Sequence, residues 1–168
     1  MWKKSINFHL TFDKRTDAWE QRKLGDFCQI ETGKLDANAM VENGKYDFFT
    51  SGIKKYKIDH YAFTGPAITI AGNGATVGYM HYADGYFNAY QRTYVLTQFK
   101  SERAFLFQSI SKTLPKKIQQ ESRTGNIPYI VMDMLTDLLI NIPTLKEQQK
   151  IGAFFTALDR YITIHQRK

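Results

Sequence analysis

The chain is poor in the residues and patterns that mark several protein classes. It has one cysteine, Cys28, in 168 residues, so no internal disulfide framework can form. No thiolate cluster can join the four histidines around a metal. No apolar stretch approaches the ~20 residues that span a bilayer. The opening MWKKSINFHLTFDKRTDAW is too polar after Lys3 and Lys4 to hold the apolar centre of a secretory signal. These absences place the expected protein in the cytoplasm, away from membranes. Catalytic patterns are missing as well. There is no Gly-Lys-Ser or Gly-Lys-Thr phosphate loop and no His-Glu-x-x-His zinc helix. Asp17, Asp26, Asp36, Asp47, Asp59 and Asp84 are scattered, and His9, His60, His81 and His165 stand in unrelated contexts. No catalytic residue and no metal ligand is assigned.

What the chain does have is apolar mass, positive charge and aromatic rings. Hydrophobic residues make up 43%, enough for a packed core, and the length suits one domain. The net charge is +7, which draws polyanions, nucleic acid before anionic membrane. Aromatics reach 14%, mostly Phe and Tyr.

Residues 1–18 lack periodicity and read as a leader. From Trp19 the chain is ordered, and the alternation around Cys28 marks a buried structural thiol. Tyr46–Phe49 reads as a strand ended by Ser51-Gly52, and Ala67–Ala71, between Pro66 and Gly72, as a buried strand. Val77–Tyr82 and Arg92–Leu96 read as further strands separated by the ADGY turn. In SERAFLFQSISKTL, Phe107, Ile110 and Leu114 recur at helical spacing. Pro115 is expected to kink or end that helix, leaving KKIQQESRTGN as a polar, basic stretch running into a loop. VMDMLTDLLINIP predicts a helical turn and then a strand ending at Pro143.

Thr144-Leu145-Lys146-Glu147 fits a capping box, in which Ser/Thr and Glu satisfy each other's free amides at a helix start. Beyond it Ile151, Phe155, Leu158 and Ile162 recur at heptad spacing. A helix from Leu145 to Arg167 would be roughly 35 Å long at ~1.5 Å per residue. Its apolar stripe can fold back on its own domain or pair with another helix, and the length and position favour pairing.

IAGNGATVGY places Gly72, Gly74 and Gly78 behind an apolar run. A dinucleotide fingerprint needs Gly-x-Gly-x-x-Gly opening a helix. Here the last gap is one residue too long and the continuation is strand-like, so a tight turn between strands is the better reading.

Three segments interleave basic, amide and aromatic side chains: KKYK, AYQRTY and KKIQQESRTGN. Each alone reads as solvated surface, but three in one small basic chain favour nucleic acid. Lysines suit phosphates, and Arg, Gln and Asn suit base edges. Lys54, Lys55 and Lys57 are therefore assigned to phosphates, with Gln91, Arg92, Arg123 and Asn126 near base edges. Tyr90, Lys116, Lys117 and Asn73 complete the candidate surface.

From Trp19 onward these segments resemble, in order, the specificity subunit of Type I restriction–modification enzymes. WEQRKLGDFCQIETGK resembles its opening block and YDFFTSG its aromatic block. AITIAGNGATVGYMHY resembles its glycine-bearing strand segment, and GYFNAYQRTYVL the strand pair that follows. LLINIPTLKEQQKIGAFFTALDRYI resembles the junction into a conserved helix. The resemblance implies an α/β (α+β) fold in which a twisted mixed sheet with flanking helices precedes a long C-terminal helix that pairs in a coiled coil. It divides the chain into a leader (1–18), a DNA target-recognition domain (19–143) and a conserved-region helix (144–168).

It further implies a subunit that does no chemistry and binds no cofactor. Such a subunit reads half of a bipartite target in double-stranded DNA. It positions methyltransferase subunits, which use S-adenosylmethionine, and a restriction subunit, which uses ATP with Mg. Full subunits carry two recognition domains and two helices, whereas this chain has one of each. A natural half-subunit and a piece of a longer one both fit. Self-association through Ile151, Phe155, Leu158 and Ile162 would give a homodimer on an inverted repeat. The rival readings are an interaction module that caps methyltransferase or specificity-subunit partners without reading DNA, and a nucleotide-dependent enzyme built on the glycine loop.

Overall fold

A computed structural model describes residues 19–121 and 127–166. The expected leader lies outside the described residues. The strands are β1 (Glu20–Lys23), β2 (Gln29–Thr32), β3 (Tyr46–Phe49), β4 (Tyr56–Ile58), β5 (Phe63–Thr64), β6 (Ala67–Ala71), β7 (Met80–Ala83), β8 (Tyr86–Ala89), β9 (Thr93–Thr97) and β10 (Leu139–Ile142). The helices are α1 (Arg103–Glu121), α2 (Met132–Thr136) and α3 (Leu145–Gln166).

The expected mixed sheet is divided in two. One sheet runs β2-β9-β6-β7, antiparallel throughout. The other runs β4-β3-β8-β5 and owes its mixed character to the parallel β3–β8 pair. A separate antiparallel ribbon joins β1 to β10, with Glu20 opposite Ile142.

The order of layers follows from which side chains alternate on β6 and β9. Ile68, Ile70, Tyr94 and Leu96 face a core shared with Leu106, Ile110 and Leu114 of α1 and Leu135 of α2. Ala67 and Val95 point to the opposite face and meet Phe49, Phe87 and Ala89 of the second sheet. Every residue of β6 is thus buried, which explains why its sequence is an unbroken apolar run rather than an alternation. The small residues on one face let the two sheets approach, and the branched ones on the other fill the space beneath α1.

Two expectations are corrected by this packing. Helix α1 is not ended by Pro115 but continues to Glu121. Proline removes one helical donor, but Leu114 is 1% exposed and Ile118 packs on the same core, so the buried stripe extends past the break. Lys116 and Lys117 consequently sit on a helix rather than a loop, and Lys117 pairs with Glu121. In addition, β7 begins at Met80, with Val77 in the preceding turn. After β7, the turn at Asp84-Gly85 carries the chain into the second sheet as β8, and only then back to β9.

The capping box at α3 forms as expected. Glu147 N–H donates to Thr144 Oγ1 at 3.4 Å, and Thr144 N–H donates to Glu147 Oε2 at 3.3 Å. One turn on, Gln148 is 5% exposed and joins α3 to the domain. Its Oε1 accepts from Ser101 Oγ and from the Glu102 N–H at 3.1 Å, and its Nε2 donates to the Pro143 carbonyl at 3.0 Å. Glu102 in turn caps α1, accepting from Phe105 N–H at 2.6 Å. A Cβ at Gly152 would come within 2.2 Å of Glu102 Oε2, so the two helices meet where there is no side chain.

Candidate nucleic-acid interface

Strands β2, β3, β6 and β8 all end at the same side of the molecule, and β9 begins there. Their connections are therefore gathered at one edge. Tyr90 N–H donates to Phe49 O at 2.9 Å, and Gln91 N–H to Leu35 O at 2.8 Å. Gly72 N–H donates to Arg92 O at 2.8 Å and Gly74 N–H to Pro128 O at 3.3 Å. A backbone bridge also links Asn73 to Tyr129. Segments around Leu35, Ser51, Asn73, Gln91 and Tyr129, remote in sequence, become neighbours.

The glycines that invited a phosphate reading serve this convergence. A Cβ at Gly72 would lie 2.2 Å from Arg92 O, so only glycine permits the approach. Gly78 holds φ +84°, which closes the turn so that its N–H reaches Ala71 O at 2.8 Å. The turn leads into β7, not into a helix N-terminus.

The structure brings Asn73, Tyr90, Gln91 and Arg92 to this edge, with Gln91 and Arg92 exposed. The lysines approach along the β3–β4 hairpin, where one carboxylate faces two of them. Lys57 Nζ lies 2.8 Å from Asp47 Oδ1 and Lys55 Nζ 3.4 Å from Asp47 Oδ2, leaving one positive charge in excess. Lys54 Nζ sits 5.3 Å from the centre of the Tyr56 ring, a cation–π contact. Lys116 is exposed on α1, whose Leu114 and Ile118 pack on Gly78. Arg123 and Asn126 lie outside the described residues.

Beside the hairpin, His81 packs against Phe49 at 5.4 Å and Tyr79 at 4.9 Å, its Nε2 3.5 Å from Gly52 O. Burial, with the nearby charge of Lys55, holds its imidazole below the ordinary value; the Gly52 carbonyl and Asp47 act in the other direction. Asp47 itself is pushed up by burial, but its bonds and charge pairing with Lys57 and Lys55 together outweigh that and leave it lowered.

Reasoning from the sequence alone missed Ser51, Thr76 and Tyr129. Ser51 Oγ donates to Asn73 Oδ1 at 2.5 Å, and Thr76 Oγ1 donates to Ser51 O. Tyr129 is 57% exposed. Serine and threonine in Gly-rich turns look like ordinary turn residues, and no local signal says that these two turns touch. Cys28 is buried as expected, its thiol pushed up to about 12 by burial. Among the described residues no group of three His, Cys, Asp or Glu side chains could hold a metal ion, and no helix is long and apolar enough to cross a membrane.

Of the expected helix seam, Ile151 and Phe155 are half-buried beside Phe105 and Gln108 of α1, near Trp19. From Thr156 to Gln166 every residue is exposed, Leu158 and Ile162 included. The first part of the stripe therefore folds back on its own domain, as one of the two expectations had it, and the second part is exposed.

Residues 16–168 match the family model described as the Type I restriction modification DNA specificity domain. Over 134 residues the chain is 38% identical to the Type I restriction enzyme EcoDI specificity subunit of Escherichia coli, covering 80% of this chain and 30% of that protein. The S subunit of the M. genitalium Type I system superposes with a TM-score of 0.72 at 21% identity, over 87% of this chain and 40% of that one. A subunit from Thermoanaerobacter tengcongensis does so with a TM-score of 0.66 at 19% identity, over 90% of this chain and 40% of that one. The chain thus spans less than half the length of these relatives, and the solved structures share its α+β fold of sheets followed by a long C-terminal helix. By its sequence match along nearly the whole length, the chain belongs to the Type I restriction modification DNA specificity domain family.

Proposed function

We propose that this chain reads one half of a bipartite target in double-stranded DNA and positions methyltransferase and restriction subunits on it. The observation that carries this reading is the convergence of basic, amide and aromatic side chains at one edge of two rigid sheets. Lys54, Lys55, Lys57 and Lys116 supply charge for phosphates. Asn73, Gln91 and Arg92 supply the donors and acceptors that base edges require. The domain at 19–143 does the reading in the cytoplasm, and the chain itself is not catalytic. Chemistry belongs to the partners, which use S-adenosylmethionine and ATP with Mg.

The helix at 144–168 is the arm that sets distance. Its exposed Phe154, Leu158, Tyr161 and Ile162 form an apolar stripe suited to the same stripe of a second copy, giving a two-fold dimer on an inverted repeat. Gln148 and the capping box anchor the start of this arm to the domain, as a distance-setting arm requires.

Co-expression with a Type I methyltransferase subunit, followed by mapping of methylated sites, tests the proposal. A recurrent motif with a fixed gap supports it. Co-purification with the methyltransferase but methylation independent of sequence overturns it in favour of an interaction module that caps partners.

A further inference from the structure

Asn73 is half-buried at the edge and is fixed at both backbone and side chain. Its backbone is bridged to Tyr129, and its neighbours Gly72 and Gly74 are bonded to Arg92 O and Pro128 O. Its side-chain oxygen accepts from Ser51 Oγ at 2.5 Å. With the oxygen held by Ser51, the NH2 group is on the other branch of the carboxamide, turned away from Ser51. Ser51 is itself held, its carbonyl accepting from Thr76 Oγ1, with the next carbonyl, Gly52 O, against His81 Nε2. Among the described residues Asn73 Nδ2 has no acceptor, and the residue is only half-buried.

Resting on the DNA-reading function proposed above, we infer that Ser51 and Asn73 form one specificity-determining unit that reads a single adenine in the major groove. A carboxamide oxygen has two lone pairs. Ser51 takes one, and the other accepts from the adenine N6 amine while Nδ2 donates to N7, the bidentate pattern that distinguishes adenine from the other bases. Ser51 does not touch the base; it is a positioning residue. Its hydroxyl fixes the carboxamide before DNA arrives, so little side-chain freedom is lost on binding. The lysines of the β3–β4 hairpin, which follow Ser51 in the chain, provide the charge that holds the duplex.

The test is selection of the full chain on a random duplex library, with wild type, Asn73→Ala, Asn73→Asp, Ser51→Ala and Ser51→Thr compared by sequencing and by salt titration. The wild type is expected to specify A at the affected position. Asn73→Ala relaxes that one position by about ten- to hundred-fold and leaves the salt slope unchanged, because phosphate contacts remain. Asn73→Asp keeps the bond to Ser51, and so the fold, but moves the preference from A towards C, whose N4 amine donates to a carboxylate. Ser51→Ala relaxes the same position, and Ser51→Thr, which keeps the hydroxyl, restores it. Unchanged preference in both Asn73 variants overturns the assignment. So does a change spread over several positions, or a specified base other than A. A wild type that selects no sequence overturns instead the DNA-reading function on which the inference rests.

Discussion

The trio Lys55–Asp47–Lys57 shows how a single carboxylate governs a basic surface. Exposed pairs of this kind contribute about 0–1 kcal/mol to stability, so their consequence is in binding. Asp47→Asn leaves both lysines unopposed, and binding to random duplex should tighten while its salt slope steepens by about one unit, measured by fluorescence titration from low to moderate salt. His81 gives the pH counterpart. Its folded value lies below the ordinary 6.5, so the unfolded chain binds the proton more readily. Its contribution to stability is complete above about pH 6.5 and drains away as pH falls through the lower folded value. Melting temperature should therefore fall on acidification from pH 7, and His81→Phe, which keeps the stacking on Phe49 and Tyr79, should flatten that fall. A variant with wild-type pH dependence sinks the argument.

Among the elements, Gln148 supplies the buried polar part of the connection between helix α3 and the domain. Gln148→Leu leaves the Glu102 N–H and the Pro143 carbonyl without their partner, and unfolding in urea should lose about 1–3 kcal/mol. Thr144→Ala, at the exposed capping box, should cost less, about 0.5–2 kcal/mol. Legibility also differs by element. Strands β3 and β6 and the start of α3 were readable because their signals are local: an apolar run between turn residues, and a Thr and Glu three apart. Pro115 misled because its penalty is local while the burial of Leu114 and Ile118 that offsets it is tertiary. The candidate edge was legible only in part. Asn73, Gln91 and Arg92 announce themselves by chemistry, whereas Ser51 matters only because two sheets bring its turn to Asn73, and Tyr129 only because its segment bridges Asn73.

For the molecule as a whole, the layers assign separate tasks to separate faces. One end of the two sheets gathers the candidate loops, while α3 packs its first turns on α1 and leaves its later turns exposed. The two faces should be separable by mutation. Leu158→Glu combined with Ile162→Glu changes only exposed positions, so the melting temperature should hold while sedimentation shifts to a monomer. Unchanged sedimentation of this variant, if the wild type is dimeric, would place the pairing elsewhere.

The β1–β10 ribbon has a consequence for time rather than space. It pairs Glu20 with Ile142, so closing the domain requires a loop that contains almost all of it. Contacts of such sequence separation form slowly, because the entropy of closing the loop is lost before any packing returns it. During synthesis the segments around Ser51 and Asn73 emerge well before β10 exists to clasp β1. The ribbon therefore clasps the two ends of the domain together, and it cannot close until translation has passed Ile142.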